Sequence, residues 1–240
     1  MQECSERNKN MKNKFPVFIP LFTVSILPLL TLALYPFGYS VSLISYKILS
    51  AVSAVICIAS GYLLKNYTPD KADKIILSLL PLIQLINSVI YVSKSKSLIT
   101  AVFMAVCFIM CAAISEKTVN SDKTKIFFVI SSSLMFVAII LFSFVAVFFG
   151  NFAVNTVVNT VDSPSGEYYA EVVNSDQGAT GGSTVVYVKK SDYLNLLIMK
   201  IEKTPDRIYL GEWGEYETME IEWEDNSTLL INSKEYKVNT

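Results

Sequence analysis

Residues 126–149 read IFFVISSSLMFVAIILFSFVAVFF, and the chain changes character directly after them. The stretch carries no charge and exceeds the roughly 20 apolar residues that a helix needs to cross about 30 Å of hydrocarbon. From residue 151 onward, apolar and polar residues alternate and carboxylates are frequent. The step therefore predicts a membrane-embedded all-α bundle followed by a small all-β antiparallel domain.

Four more apolar stretches lie upstream and complete the predicted bundle, which covers residues 15–150 and follows a basic N-terminal segment, residues 1–14. The third stretch is the shortest, and it is the one that contains Pro81, Gln84 and Asn87. The first stretch could alternatively be a cleaved signal peptide, which would leave four transmembrane helices, but its apolar run exceeds the usual 7–15 residues. The predicted spans are residues 15–35, 44–64, 75–92, 98–115 and 126–149.

Charge is divided unevenly between the two parts. The chain is 52% hydrophobic and 17% charged, with a formal net charge of −1. Residues 1–150 hold thirteen basic and six acidic side chains, a charge of +7, while residues 151–240 hold seven basic and fifteen acidic ones, a charge of −8. An acidic domain repels phosphate backbones, so nucleic acid is excluded as an expected partner.

The basic residues predict the orientation, because lysine and arginine collect in cytoplasmic loops. A basic group precedes the first span, the connection around residues 36–40 is uncharged, and two later lysine groups follow the second and fourth spans. We therefore expect a multi-pass plasma-membrane protein with a cytoplasmic N-terminus and an extracytoplasmic C-terminal domain, residues 151–240. Lys94 and Lys96, in a short outer turn, are the exception. The orienting residues are Arg7, Lys9, Lys12, Lys14, Lys65, Lys71, Lys74, Lys117, Lys123 and Lys125.

Several kinds of chemistry lack their usual residues. The chain has no histidine, which is the commonest general base and zinc ligand. None of its four cysteines lies in residues 151–240, so no disulfide framework supports that domain. We expect no catalytic residues, no metal site and no cofactor.

Polar residues inside the predicted spans are few. Lys47 lies near the outer end of the second span, where its side chain can reach the membrane surface. Gln84 and Asn87 share one face of the third span and predict either interhelical hydrogen bonds or a polar substrate site. Cys107 and Cys111 share a face of the fourth, where we interpret them as small buried hydrophobes.

The C-terminal domain alternates with period two between turn residues. Met219, Ile221 and Trp223 alternate with glutamates, which predicts one buried face and one acidic face. The strands are expected at residues 167–173, 183–190, 193–202, 207–213, 218–224, 228–232 and 235–238, in a small sandwich or open barrel. A glycine-rich loop separates the first two, and we interpret it either as a plain connection or as a binding loop. Its candidate residues are Asp176, Gln177, Gly178, Thr180, Gly181 and Gly182.

Three segments carry a resemblance: SPSGEYYA (163–170), DQGATGG (176–182) and IEWEDNSTLLIN (221–232). Together they resemble a group of uncharacterised bacterial membrane proteins. The C-terminal domain of those proteins opens with a Ser-Pro-Asp-Gly-Lys-Tyr type turn and closes with a Trp-x-Asp-Asn type hairpin. The resemblance covers only residues 151–240, and this chain has Ser165 and Glu167 where the group tends to have aspartate and lysine. It implies a Gram-positive-type bacterial origin and no assigned activity.

Two functions are compatible with these features. The first is a non-enzymatic plasma-membrane protein that presents the acidic β-domain for binding or sensing. Its partners would be the lipid bilayer and another membrane or cell-envelope protein. The alternative is a small-solute transporter, or an accessory subunit of one, that uses Lys47, Gln84 and Asn87.

Overall fold

The computed structural model describes residues 19–67, 69–119, 121–150, 152 and 154–238. The expected N-terminal segment, residues 1–14, and the first four residues of the first predicted span lie outside the described residues. The chain forms two compact units. The helical unit consists of the chain up to Leu32 and of Ser45–Gly150. The β-domain consists of Ala33–Ile44 and the chain from residue 151 onward.

Within the described part of the chain, five helical stretches are long and apolar enough to cross a membrane. The prediction of five apolar spans is thus confirmed at the level of length and composition. The stretches are Ile19–Phe37 (α1), Tyr46–Leu63 (α2), Lys71–Ser95, Leu98–Glu116 (α5) and Asp122–Phe148 (α6).

The third stretch consists of two helices, α3 (Lys71–Ser78) and α4 (Leu80–Ser95). The break falls at Leu79 because Pro81 lies in the first turn of α4 and has no N–H to continue the preceding helix. α3 begins four residues before the predicted start, at a capping box in which the Asp70 carboxylate accepts from the backbone N–H of Asp73 at 2.9 Å. The predicted span thus underestimated the helix at both ends.

α5 occupies the centre of the helical unit and packs against α2, α4 and α6. Its inward positions are small or apolar, and Met104, Cys107, Phe108 and Cys111 are all buried. α6, by contrast, buries only three of its described residues. This difference is typical of a bundle in which one helix is central and another faces its surroundings.

The β-domain contains three antiparallel sheets. The largest has the order β2 (Val154–Asp162), β3 (Tyr168–Asp176), β4 (Gly182–Lys190), β7 (Asp206–Gly211). The second sheet has the order β10 (Lys234–Lys237), β9 (Thr228–Ile231), β8 (Ile221–Trp223). The third has the order β1 (Tyr39–Leu43), β6 (Met199–Lys203), β5 (Tyr193–Asn195).

One apolar core joins the first two sheets. Ala170 and Val186, from the large sheet, and Leu229 and Ile231, from the second, are almost fully buried in the same cluster. Ile221 and Trp223 pack against this cluster from the edge strand β8. The expected alternation of buried and acidic positions holds, since Glu222 between them is exposed.

The third sheet differs from the sequence-based expectation in two ways. The connection between the first two spans is not a plain loop: it contains β1, which pairs with β6 in the register Tyr39↔Lys203 to Leu43↔Met199. The single strand expected at residues 193–202 is a hairpin, β5 and β6, with its turn at residues 196–198. β1 went unpredicted because its five residues lie between two apolar spans, so the alternation did not stand out.

The same strand moves the start of the second span. Ile44 extends the β1 pairing by donating its N–H to the carbonyl oxygen of Ile198 at 3.2 Å. Ser45 then caps α2, with its hydroxyl accepting from the N–H of Ile48 at 3.3 Å. α2 therefore begins at Tyr46 and not at residue 44.

Candidate functional site

The glycine-rich loop is a closed turn between β3 and β4. The carboxylate of Asp176 accepts from the N–H of Gly178 at 2.7 Å, and the N–H of Gln177 donates to the carbonyl oxygen of Gly181 at 2.8 Å. The Thr180 hydroxyl donates to the carbonyl oxygen of Gln177 at 2.9 Å. The loop thus satisfies part of its own polar backbone.

Gly182, the last candidate in the loop, has a packing role. A Cβ at this position would lie 2.6 Å from Cδ1 of Trp213 and 2.7 Å from the carbonyl oxygen of Ser175. Only glycine fits, because the Trp213 indole lies directly over its backbone. The structure therefore brings an aromatic ring to the loop from residues 212–214, a segment distant in sequence.

Trp213 is exposed, at 58% of its surface, and its indole N–H has no hydrogen-bond partner among the described residues. The second tryptophan, Trp223, is half-buried and donates its indole N–H to the carbonyl oxygen of Val161 at 3.0 Å. Trp223 thus has a structural role, whereas the Trp213 side chain has an unused donor and an open ring surface. Exposed tryptophans of this kind are enriched at protein interfaces.

Glu215 supports the segment that carries Trp213. One carboxylate oxygen accepts from the hydroxyl of Tyr209 at 2.5 Å and from the side-chain amide of Asn232 at 3.2 Å. The other oxygen accepts from the N–H of Glu212 at 3.0 Å. The hydrogen bond to Glu215, together with burial, raises the pKa of Tyr209 to about 12. The loop that presents Trp213 is therefore held by a charged hub and not left free.

Sequence reasoning missed Trp213 as a candidate. It lies at the end of a predicted strand, where a tryptophan is normally read as core. A signal was available in Gly211-Glu212-Trp213-Gly214, since two glycines around one aromatic residue indicate a turn that exposes the ring. Gly214 does adopt the left-handed conformation, with φ of 84°.

The acidic face is a solvated surface. Glu220, Glu222 and Glu224 are all exposed. Among the described residues, no group of three or more His, Cys, Asp or Glu side chains is arranged to hold a metal ion. The carboxylates are spread along a strand edge and do not converge on a point.

In the helical unit, Gln84 and Asn87 form one buried polar cluster. The Gln84 amide nitrogen donates to the Ser88 hydroxyl at 3.2 Å and to the carbonyl oxygen of Met104, on α5, at 3.5 Å. The Asn87 amide nitrogen donates to the Gln84 side-chain oxygen at 3.4 Å. The predicted interhelical hydrogen bonding is therefore present between α4 and α5.

Two buried polar groups of the helical unit, one in this cluster and one on α5, are unsatisfied among the described residues. The side-chain oxygen of Asn87 and the hydroxyl of Thr100, on α5, are buried and have no hydrogen-bond partner among the described residues. Lys47 does not join the cluster, because it is exposed in the first turn of α2. The three residues expected to form one intramembrane site are therefore divided.

Three cysteines meet in the core of the same unit. Cys57 on α2 is buried together with Cys107 and Cys111 on α5, and all three are free thiols. Their thiols are close enough to interact with one another. Burial of all three side chains is the environment that small core residues occupy.

Two lysines complete helix C-termini. The Lys96 ammonium donates to the carbonyl oxygen of Gly150 at the end of α6, and the Lys117 ammonium donates to the carbonyl oxygen of Leu64 beyond α2 at 3.4 Å. Cations at these ends balance the partial negative charge of unpaired helix carbonyls. Lys96, an exception to the predicted charge pattern, thus has a structural role in the turn between α4 and α5.

Comparison with known proteins adds one relationship. A family model described as "Family of unknown function (DUF5412)" matches residues 123–240. No curated protein and no solved structure matches the chain. The matched segment joins α6 to the whole C-terminal part, so the similarity crosses the step at residues 149–151 and treats the last span and the β-domain as one module.

Proposed function

We propose that this protein is a non-enzymatic, multi-pass plasma-membrane protein whose helical unit holds the β-domain in a set orientation outside the cell for binding or sensing. One observation carries the proposal: β1, from the connection between α1 and α2, is a strand of the β-domain. The chain therefore passes between the helical unit and this domain three times: within the last turns of α1, before α2 and after α6. A domain that only had to be tethered to the helices would need a single crossing.

The path of the chain supports the proposed orientation. β1 and β2 belong to the same domain, so both lie on one side of any membrane that the helices cross. Between them the chain runs through four of the five candidate spans, an even number, which returns it to the side that it left. The uncharged connection after α1 and the C-terminal domain are thus expected outside together.

The surface that we propose for partner binding consists of Trp213 and the loop at residues 176–182. Gln177 and Thr180 are exposed beside the loop glycines, and Trp213 covers Gly182. A rigid aromatic ring with polar neighbours suits a protein partner, since a buried tryptophan often contributes much of the binding energy of an interface. The proposed partner is another membrane or cell-envelope protein.

Photo-crosslinking in intact cells tests this surface. A photoreactive amino acid at Thr180 should capture a partner, whereas the same probe at Lys237, an exposed position on β10, should capture much less. Adding Trp213→Ala should reduce capture from Thr180 about tenfold or more, in line with a typical hot-spot residue. Leu210→Ala, a change at a similarly exposed apolar position on β7, should leave capture unchanged. Equal capture at both probe positions, or none at Thr180, would overturn the proposal.

Labelling from outside the cell tests the orientation separately. Single cysteines replace Ser165, an exposed turn residue of the β-domain, and Ser121, an exposed residue before α6. A membrane-impermeant maleimide should label the first in intact cells and the second only after lysis. The reversed pattern would place the β-domain inside the cell.

The alternative is a small-solute transporter, or an accessory subunit of one. A specific observation favours it: the side-chain oxygen of Asn87 and the hydroxyl of Thr100 are buried without partners among the described residues. Buried polar atoms normally bond, and intramembrane polar groups often mark a substrate path. In this version, Gln84, Asn87 and Thr100 form the site, and Lys47 is not part of it.

Substitutions distinguish the two functions. Under the transport proposal, Asn87→Leu should abolish solute uptake or the phenotype of a deletion strain while the protein remains at normal levels. Lys47→Ala serves as the matched control and should change neither. If Asn87→Leu is neutral and Trp213→Ala reproduces the deletion phenotype, the presentation proposal is favoured.

A further inference from the structure

The turn between β5 and β6 exposes a cluster of aliphatic side chains. Leu197 has 94% of its surface exposed, and Leu194, Leu196 and Ile198 are each exposed by two fifths or more. The turn is ordered, because the N–H of Leu196 donates to the carbonyl oxygen of Met199 at 2.8 Å. A well-formed turn thus presents its apolar residues outward.

The remaining hairpin turns provide an internal comparison. They are Ser163-Pro-Ser-Gly166, the glycine-rich loop at residues 176–182, Glu224-Asp-Asn-Ser227 and Asn232-Ser233. All four use the small or polar residues that turn geometry favours in water. The sequence Leu194-Asn-Leu-Leu-Ile-Met199 meets no such requirement, and an apolar hairpin edge in water invites aggregation. Its surroundings must therefore differ from those of the other turns.

The pairing of β1 places this turn beside the start of a candidate membrane span. Leu43 pairs with Met199, and the N–H of Ile44 donates to the carbonyl oxygen of Ile198. Ser45 follows as the N-cap of α2, which begins at Tyr46. Two residues, which span at most about 7 Å of chain, therefore separate Ile44, the hydrogen-bond partner of this turn, from the first residue of α2.

The N-terminal end of β1 is also close in sequence to a candidate span. α1 ends at Phe37, and Gly38 accepts at its carbonyl oxygen from the N–H of Thr204, which follows β6, at 2.8 Å. Both ends of the β1–β6 pair are therefore within three residues of a span. In the proposed orientation both spans end at the same membrane surface, so the chain holds each end of this strand pair within three residues of that surface.

The flanking residues also suit a membrane interface. Tyr193 is exposed, and the Lys200 ammonium lies 4.3 Å from the centre of its ring. The same ammonium pairs with the Glu202 carboxylate at 2.5 Å. Tyrosines are enriched at the level of lipid headgroups, and lysine side chains reach the headgroups from there.

We propose that the turn at residues 194–198 inserts its leucine and isoleucine side chains into the headgroup and acyl boundary of the bilayer, next to the start of α2. The inference rests on the membrane placement proposed above. It goes beyond that placement by assigning the β5–β6 hairpin a lipid surface as its partner. The apolar tip would set the height of the β-domain above the membrane.

Fluorescence quenching on the full chain tests this insertion. A Cys4→Ser background leaves only Cys57, Cys107 and Cys111, which are buried, and single cysteines carrying an environment-sensitive dye replace Leu197, Leu134 or Ser165. Leu134 is an exposed residue of α6 and serves as the lipid control; Ser165, in a polar turn, serves as the aqueous control. The protein is placed in phosphatidylcholine nanodiscs that hold one copy each, which removes self-association.

Insertion predicts that spin-labelled lipid quenches the dye at position 197 at least about threefold more than at position 165, and that aqueous iodide quenches it correspondingly less. Iodide quenching at 197 equal to that at 165 overturns the inference. Protection from iodide without lipid quenching also overturns it, because the turn is then covered by protein. If position 134 itself shows no lipid quenching, the membrane placement fails; failure at 197 alone leaves that placement intact.

Discussion

The helical unit and the β-domain distribute polarity in opposite ways. In the helical unit, Phe127 and Leu134 are among the most exposed side chains, and Gln84 and Asn87 are among the most buried. A bundle in water would have the reverse arrangement. The pattern is that of helices whose outer surface meets lipid and whose rare polar groups bond to one another inside.

The β-domain follows the aqueous pattern. Ala170, Val186 and Leu229 form its core, while Glu222 and Glu224 are exposed. The turn at residues 194–198 is the local exception, with the outward apolar character of the helical unit. An exposed apolar side chain is therefore expected on a surface that meets lipid and unexpected on one that meets water, so exposure alone does not show what a surface contacts. Four predictions test it, in order of decreasing expected effect.

The largest effect is expected in the β-domain core. Val186→Asp buries a carboxylate without a partner and should cost about 4 kcal/mol or more, enough to unfold the domain. Val157→Asp, at an exposed position of β2, is the control and should cost less than about 0.5 kcal/mol. Hydrogen exchange of β3 and β4 amides in the full-length protein measures both. Equal protection in the two variants would mean that the core is elsewhere.

The next prediction concerns an exposed position of the helical unit, where a charged substitution is expected to be costly and not tolerated. Leu134 is 66% exposed, so in water Leu134→Asp would be nearly neutral. In a bilayer the same change should cost about 3 kcal/mol of insertion free energy. We therefore expect a large loss of membrane-inserted protein, measured by carbonate extraction and cell levels. Leu210→Asp on β7, at a similar 58% exposure, should be tolerated; if both are tolerated, α6 does not face lipid.

The two tryptophans give a smaller contrast. Trp223→Phe removes the donor to the carbonyl oxygen of Val161 and should destabilise the β-domain by about 1–2 kcal/mol. Trp213→Phe removes no hydrogen bond within the described residues and should change stability by less than about 0.5 kcal/mol. Thermal unfolding of the full chain, monitored by hydrogen exchange of the β9 amides, measures the difference in stability between the two variants. A larger cost at Trp213 would assign it a structural role and weaken the proposed binding surface.

The smallest effect concerns the hub that holds Trp213. The pKa of Tyr209 is raised to about 12 in the folded domain, above the ordinary value of about 10. A raised pKa means that the stabilisation from the Tyr209 hydroxyl is complete below pH 10 and is lost as pH rises from 10 to 12. The stability advantage of the natural protein over Tyr209→Phe should therefore shrink across this window. An advantage independent of pH would show that the hydrogen bond to Glu215 does not contribute.

The parts of the fold that were predictable depend on local composition. Hydropathy located five spans, and the alternation of Met219, Ile221 and Trp223 with glutamates located a strand with one buried face. These features follow from the solvent around each segment and from backbone constraints within a few residues, so they can be read without knowing any distant partner.

The site was predicted only in part. The loop at residues 176–182 was a candidate because of its glycines, yet the reason for Gly182 is the ring of Trp213, which arrives from another strand connection. Gln84 and Asn87 were paired correctly because they are three residues apart on one helix. Lys47 was grouped with them by membrane depth alone, and depth does not decide which side of a helix faces a neighbour.

The sequence by itself determined which segments are long and apolar enough to cross a membrane, which alternate like strands and where the charge changes sign, because hydropathy and charge are properties of the residues themselves. Only the tertiary structure decided that Tyr39–Leu43 is a strand of the β-domain and that an apolar turn lies beside the start of α2. Strand pairing between residues about 160 positions apart leaves no local periodic signal. Its energy comes from partners that the folded chain alone brings together.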